Sequence, residues 1–159
     1  MRPTRRDLYV LLASHNVRYI VIGGVAVMAH GVPRFTLDLD IVIEATRDNA
    51  TRLVAALREA RLGTAFEIEP ADVLAQEIIL FRDWLALDVH TKPPGFDFET
   101  AWVRRRIETV DGVPVNILSI EDLIASKEAT GRPVDLEDVA HLREVLRQEN
   151  RADGPASPS

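Results

Sequence analysis

The sequence predicts an α+β domain: a mixed β-sheet flanked by helices, with further helices closing the chain at its C-terminal end. Three observations point there. Stretches with helical apolar spacing alternate irregularly with apolar runs of strand length. Two tight turn signals, Arg82-Asp83 and Asp111-Gly112, join neighbouring runs as hairpins, which argues against a doubly wound parallel sheet. The segment after Ser119 holds two amphipathic helical patterns in succession.

In chain order, 4–15 reads as a helix. Thr4 caps it, Asp7 sits at its third position, and Leu8, Leu11 and Leu12 repeat at helical spacing. Residues 18–22 form a short buried strand, broken by Gly23-Gly24, and 25–30 a short helix ended by Gly31-Val32-Pro33. A second strand covers 38–44. A helix follows over 48–61, facing inward through Leu53, Val54 and Leu57 and closed by Gly63. Residues 66–69 read as a short strand or a loop. Strands are expected at 77–81 and 84–90, and a short helix at 97–102. Strands at 106–110 and 113–118 follow, and Pro114, which has no amide hydrogen, places the second of these at a sheet edge. The closing helices run from Ser119 to about Gly131 and from about Asp135 to Gln148. Residues 1–149 make one domain, and the polar 150–159 segment, with Gly and Pro, is expected to be disordered.

The chain has 159 residues, the size of one ordinary domain, and 47% of them are hydrophobic, enough for a single core. With no cysteine it has no disulfide, no thiol nucleophile and no cysteine-ligated zinc, and a reducing cytoplasm suits it. No stretch approaches the roughly 20 apolar residues of a membrane helix. A formal net charge of −6 excludes a protein-wide basic field for nucleic acid. Any polyanionic ligand must meet local cations, and Arg34, Lys92, Arg104, Arg105, Arg106, Lys127 and Arg132 are the candidates.

The chemistry concentrates in carboxylates. In the run Leu37-Asp38-Leu39-Asp40-Ile41-Val42-Ile43, residues two apart share a strand face, so Asp38 and Asp40 project together. Two neighbouring carboxylates at the mouth of a buried strand repel each other unless a positive charge lies between them, and a divalent cation supplies it. Hard oxygen donors select Mg²⁺ or Mn²⁺. Asp88 is the natural third member. It shares a face with Ala86 and His90 near the end of another apolar strand, and three such carboxylates can hold two metals about 3.5–4 Å apart. An Asp-x-Asp alone is an ordinary solvated strand start; the company of a strand, a double glycine, a helix and a distant third Asp sets this one apart.

Other residues fit around that centre. Gly23-Gly24 lets the backbone approach a phosphate closely at the start of a helix. Arg34 precedes the carboxylates and can touch a phosphate, whereas Thr36 reads as a surface-loop residue. Lys127 falls on the inward stripe of Ile120, Leu123 and Ile124, an uncommon place for a lysine that neither pairs nor binds an anion. Asp135 and Asp138 read as helix-capping residues, with pairing to Lys127 as the lesser alternative. His90 reads first as a partly buried structural histidine, with a role as a base or supporting group beside Asp88 as the alternative; His30 packs at a helix end, and Arg104-Arg105-Arg106 is a solvated charge run.

Taken together, the strand, Gly23-Gly24, the thirteen-residue spacer, Asp38-Leu39-Asp40 and the later Asp88 resemble the DNA polymerase β-like nucleotidyltransferase superfamily. The spacer is toward the long end for that superfamily. Residues 23–40, with His30-Gly31, Arg34 and Thr36, look like the small bacterial proteins related to AbiEii-type toxins and minimal nucleotidyltransferases. The stretch from Leu123 to Lys127, through Arg132-Pro133 to Asp138, resembles their C-terminal Lys and Asp motifs, so the likeness covers about residues 5–147. It implies transfer of a nucleoside monophosphate from a nucleoside triphosphate to an acceptor hydroxyl on RNA, such as tRNA, on protein or on a small molecule, with two metal ions. Asp38 and Asp40 would hold the metals, Asp88 would complete the site and help deprotonate the acceptor, Gly23 and Gly24 would cradle the triphosphate, and Lys127 would neutralise it. The alternative it implies is a weakly active or inactive member of a toxin–antitoxin or defence pair, acting through nucleotide binding or a cognate partner protein. A haloacid-dehalogenase-like phosphatase also uses Asp-x-Asp, but there the apolar strand precedes the aspartates, and here Ile41-Val42-Ile43 follows them.

Overall fold

The computed structural model describes residues 2–152 and shows the expected mixed architecture. Helix α1 (Arg5–Ser14) leads into strand β1 (Tyr19–Ile22), α2 (Gly23–Ala29), β2 (Leu39–Ile43) and α3 (Arg47–Glu59). A 3₁₀ turn (Gly63–Phe66) and α4 (Pro70–Ala75) precede the hairpin of β3 (Ile78–Arg82) and β4 (Ala86–His90). Then come α5 (Phe98–Arg104), β5 (Arg106–Val110), β6 (Val113–Ile117), α6 (Ile120–Thr130) and α7 (Pro133–Ala152). The six strands form one sheet in the order β3-β4-β2-β1-β6-β5. β1 runs antiparallel to β2 and parallel to β6, β2 runs parallel to β4, and the outer strands β3 and β5 are antiparallel to their neighbours. No helix among the described residues is long and apolar enough to cross a membrane.

Every residue of β1 is buried, so both faces of the central strand are covered. This is why Tyr19-Ile20-Val21-Ile22 reads as a continuous apolar run rather than an alternating one. α1 packs with α3, and α3 with α4, while α2, α6 and α7 form a second packed group. Capping follows local chemistry. Thr4 and Asp7 make a reciprocal capping box, Thr46, Asp97 and Ser119 cap α3, α5 and α6, and Gly131 ends α6 in the left-handed region.

The structure departs from the sequence expectations in five places. Gly23 and Gly24 lie inside the first turn of α2 rather than ahead of it. α3 is closed by Arg61, not Gly63. Arg61 takes φ 62° so that its amide and that of Leu62 reach the carbonyls of Arg58 and Leu57, and fully buried Leu62 offsets the strain of that turn. Residues 70–75 form a helix that apolar spacing did not flag, although Pro70 at its first position and the Glu69–Asp72 capping box mark it. Pro114 does not lie on an edge strand, because β5 is the edge and β6 sits between β5 and β1. The β1–β6 register is at Val21 and Ile117, so Pro114 lies upstream of that pairing and stands opposite Thr109 in the β5–β6 ladder. Finally, α7 starts at Pro133 and continues through Ala152; the rest of the expected tail, 153–159, lies outside the described residues.

Asn49 is fully buried and ties three elements together. Its Oδ1 accepts from the Arg18 amide at 2.8 Å, and its Nδ2 donates to the carbonyls of Arg18 and Glu44, both at 2.9 Å. The start of β1, the end of β2 and the first turn of α3 are thus clamped by one side chain. Asn49→Ala takes the side-chain partner from the Arg18 amide and the Glu44 carbonyl, while the Arg18 carbonyl keeps the Glu44 amide. It is expected to cost about 3 kcal/mol, read as a lowered urea midpoint with unchanged slope. A change under about 0.5 kcal/mol would show that the clamp is not needed.

Candidate active site

The parallel pairing of β2 with β4 sets Asp40 directly opposite Asp88. Ile22 lies opposite Asp40 on the other side, and Leu80 lies opposite Asp88. Residues opposite one another in a ladder share a face. One row therefore crosses the sheet as Ile22, Asp40, Asp88 and Leu80, and the next holds Val42, His90 and Ile78. β2 begins at Leu39, so Asp38 stands one residue before the strand, more exposed than Asp40. The seven residues assigned to the site from the sequence, Gly23, Gly24, Arg34, Asp38, Asp40, Asp88 and Lys127, line a single open cleft of about 300 Å³, whereas the candidate cations Lys92, Arg104, Arg105 and Arg106 do not line it. Thr36, His90, Pro94, Ser126, Thr130, Arg132 and Asp135 line it as well.

Each strand carboxylate has a polar side chain beside it. Asp88 Oδ1 accepts from Arg82 at 2.7 Å, and Asp40 Oδ1 lies 3.1 Å from His90 Nε2. The hydrogen bond to Asp88, with the fields of Asp38 and Asp40 added, raises the Arg82 pKa above its ordinary value. Among the described residues no three His, Asp or Glu side chains converge as a ready-made metal cage. The donor set nonetheless suits a hard divalent ion: three carboxylates, partly open to solvent, with Asp88 and Asp40 side chains 17% and 23% exposed. A cation drawn to Asp88 meets Arg82 already on Oδ1, with the arginine side chain about half exposed.

The opposite wall carries a buried ion network. Lys127 Nζ lies 3.2 Å from both Asp135 Oδ1 and Asp138 Oδ2. Arg34 also pairs with Asp138, and Arg132 donates to Asp135 at 2.7 Å and 3.2 Å. Thr130 Oγ1 donates to Asp135 at 2.8 Å. Asp135 and Asp138 are therefore not capping residues. α7 starts two residues before Asp135, and both carboxylates turn into the network instead. Burial on its own would raise the Asp135 carboxyl, but hydrogen bonds from Arg132, Thr130 and Lys127 outweigh it and hold the pKa at about 2. The inward stripe of α6 did indicate that Lys127 is buried; its partners come from α7. Arg34 fastens the 31–38 segment, which carries Thr36 and Asp38, to the same helix. His30 is buried at the end of α2 and bonds the Leu118 carbonyl at 2.7 Å, as a structural histidine does.

Sequence reasoning preferred a structural role for His90 over one beside Asp88; it contacts Asp40 and lines the cleft. The signal was its position two residues beyond Asp88 on an alternating strand. Arg82, read only as part of a turn, contacts Asp88. Nothing in the spacing could locate it, because that contact depends on the β3–β4 register. The double glycine has a steric reason. Gly23 takes φ +67°, and a Cβ there would lie 2.6 Å from Asp40 Oδ2, while a Cβ on Gly24 would press on Thr36 at 3.1 Å.

A family model described as "Nucleotidyltransferase of unknown function (DUF6036)" matches residues 6–149. No curated protein matches the chain. Among solved structures, the lincosamide antibiotic adenylyltransferase LnuA with lincomycin bound superposes with a TM-score of 0.53, at 14% identity over 91% of this chain and 99% of that one. A protein of Thermotoga maritima provisionally assigned as a nucleotidyltransferase superposes with a TM-score of 0.50, at 15% identity over 90% of both chains. These likenesses establish a shared fold.

Two substitutions test the geometry. Asp135→Asn is expected to destabilise the chain by about 3 kcal/mol at neutral pH, the low end for breaking a buried ion pair, since Lys127 keeps Asp138. A carboxyl depressed in the folded state contributes stability that is complete above its unfolded pKa of about 3.9 and is lost as pH falls toward about 2. The difference between wild type and variant should therefore shrink between pH 4 and pH 2 in urea titrations, and a constant gap would refute the assignment. Gly23→Ala is expected to cost about 1–2 kcal/mol of backbone strain and to move the Asp40 side chain, seen as altered His90 ring resonances. An unchanged His90 spectrum would show that Gly23 does not set Asp40.

Proposed function

The chain belongs to the nucleotidyltransferase family of unknown function that matches residues 6–149, and from that premise we propose that it moves a nucleoside monophosphate from a nucleoside triphosphate to an acceptor hydroxyl. One observation carries this reading: Asp40 lies in register opposite Asp88 on parallel strands, with Asp38 and the Gly23–Gly24 backbone in the same cleft.

Asp38, Asp40 and Asp88 are the residues that would hold two magnesium or manganese ions, which when bound supply charge neutralisation for the phosphates and activation of the attacking oxygen. The chain's own groups do the rest. Gly23 and Gly24 leave the backbone open to the phosphates, and Arg34, Lys127 and Arg132 offer positive charge along the opposite wall. These cations are paired with Asp135 and Asp138, so the network positions them while lowering the charge they present. His90 orients Asp40, and Asp88 takes the proton of the attacking hydroxyl. The acceptor oxygen bonds to the α-phosphorus and pyrophosphate leaves.

The test is incubation of the full chain with each α-labelled nucleoside triphosphate, magnesium and a cell extract, followed by isolation of the labelled acceptor. Wild type is expected to label an acceptor. Asp40→Asn, which can keep its contact with His90, is expected to fall to background with an unchanged melting profile. Transfer by the variant at the wild-type rate would remove the proposed role of the carboxylates.

A further inference from the structure

The cleft lining ends at Asp88 and His90, but the sheet face that carries them continues onto β3. The row Ile22, Asp40, Asp88 runs on to Leu80 at the sheet edge, and the neighbouring row runs from His90 to Ile78. Directly opposed residues on antiparallel strands have Cβ atoms about 5 Å apart, so Leu80 lies beside the Asp88 carboxylate and Ile78 beside the His90 ring. Both apolar side chains are open, Ile78 48% and Leu80 54% exposed. β3 is an outer strand, a place where sequences usually keep charge rather than bare Ile and Leu.

We propose that Ile78 and Leu80 form the acceptor shelf of this site, and that the acceptor is a small neutral or cationic alcohol with an apolar flank. The inference rests on the nucleotidyl-transfer reading for the word acceptor, though not for the binding itself. Two features select the occupant. The shelf is continuous with Asp88, so a molecule lying on it brings its hydroxyl to the carboxylate. The electrostatics disfavour a polyanion: Asp38, Asp40 and Asp88 face the same space, the chain carries a net charge of −6, and the flanking cations Arg82 and Lys92 are paired with Asp88 and Glu77. An RNA acceptor would need free positive charge along this flank. A cleft of about 300 Å³ also lies at the small-ligand end of the range for binding sites.

The experiment is amide chemical-shift mapping on the full chain with four separate probes: 2-phenylethanol, phenylalaninol, glycerol and a short oligouridylate. A fifth titration with magnesium and a non-hydrolysable ATP analogue reads the nucleotide side at Gly23 and Gly24. The two apolar alcohols are expected to move the amides of β3 and of Asp88 to His90, while glycerol and the oligouridylate do not. Leu80→Lys is expected to weaken the alcohol titration about five-fold, the loss for uncovering roughly half a leucine side chain. The proposal is overturned if the oligouridylate moves these amides, if glycerol moves them as strongly as the apolar alcohols, or if neither apolar alcohol moves them. It is also overturned if β3 amides broaden with protein concentration alone, which would seat a second copy on this edge. Alcohol shifts at β3 without any analogue shift at Gly23 and Gly24 would uphold the shelf and count against the nucleotide reading alone.

Discussion

The constraint on which the rest depends is the in-register parallel pairing of β2 with β4. It brings Asp40 and Asp88 onto adjacent strands about 4.8 Å apart, at the same height and on the same face. Two carboxylates so placed repel each other, and a fold that keeps them there must supply compensating charge. Here Arg82 on the edge strand supplies it to Asp88, and His90, on the strand that carries Asp88, offers a ring nitrogen to Asp40. The main chain of α2 approaches from the third side, which is why position 23 has no room for a Cβ.

The second arm of the site is the buried cluster of Lys127, Asp135 and Asp138, with Arg34 and Arg132 at its margins. Buried charges are tolerated when each is paired and hydrogen-bonded, and here every member has at least one partner of opposite sign. The cluster joins α6, α7 and the segment leading into β2. It therefore links the C-terminal helices mechanically to the position of Asp38. Its near-neutrality also means that the cleft offers a moderate positive wall rather than a strong one, in keeping with the acidic character of the chain.

The cleft and the sheet face beyond it have a direction. Cations gather near α6 and α7, carboxylates lie in the middle, and apolar side chains occupy the outer strand. A triphosphate suits the first region and an uncharged or cationic molecule with an apolar surface suits the last. The sheet supplies this order because a single face, read across four strands, passes from the buried centre to the open edge.

Much of the fold was legible along the chain, because amphipathic spacing, caps and hairpin turns are local. α1, β1, β2, α3, the hairpins and α6 follow from such signals, and the Asp-x-Asp spacing placed Asp38 and Asp40 on one face. Asp88 and His90 shared a face for the same reason of strand alternation. The failures were of another kind. Arg61 in place of Gly63 as the helix stop depended on burying Leu62, and the interior place of β6 depended on strand order. Arg82 as the partner of Asp88 depended on the β3–β4 register, and the clamp of Asn49 on Arg18, a residue distant in sequence, while the pairing of Lys127 with Asp135 and Asp138 was legible only as the lesser alternative. By itself the sequence determined which residue types point together within an element, since that is set by backbone periodicity. Only the tertiary structure decided which elements meet, because strand order and register are settled by packing the whole core at once.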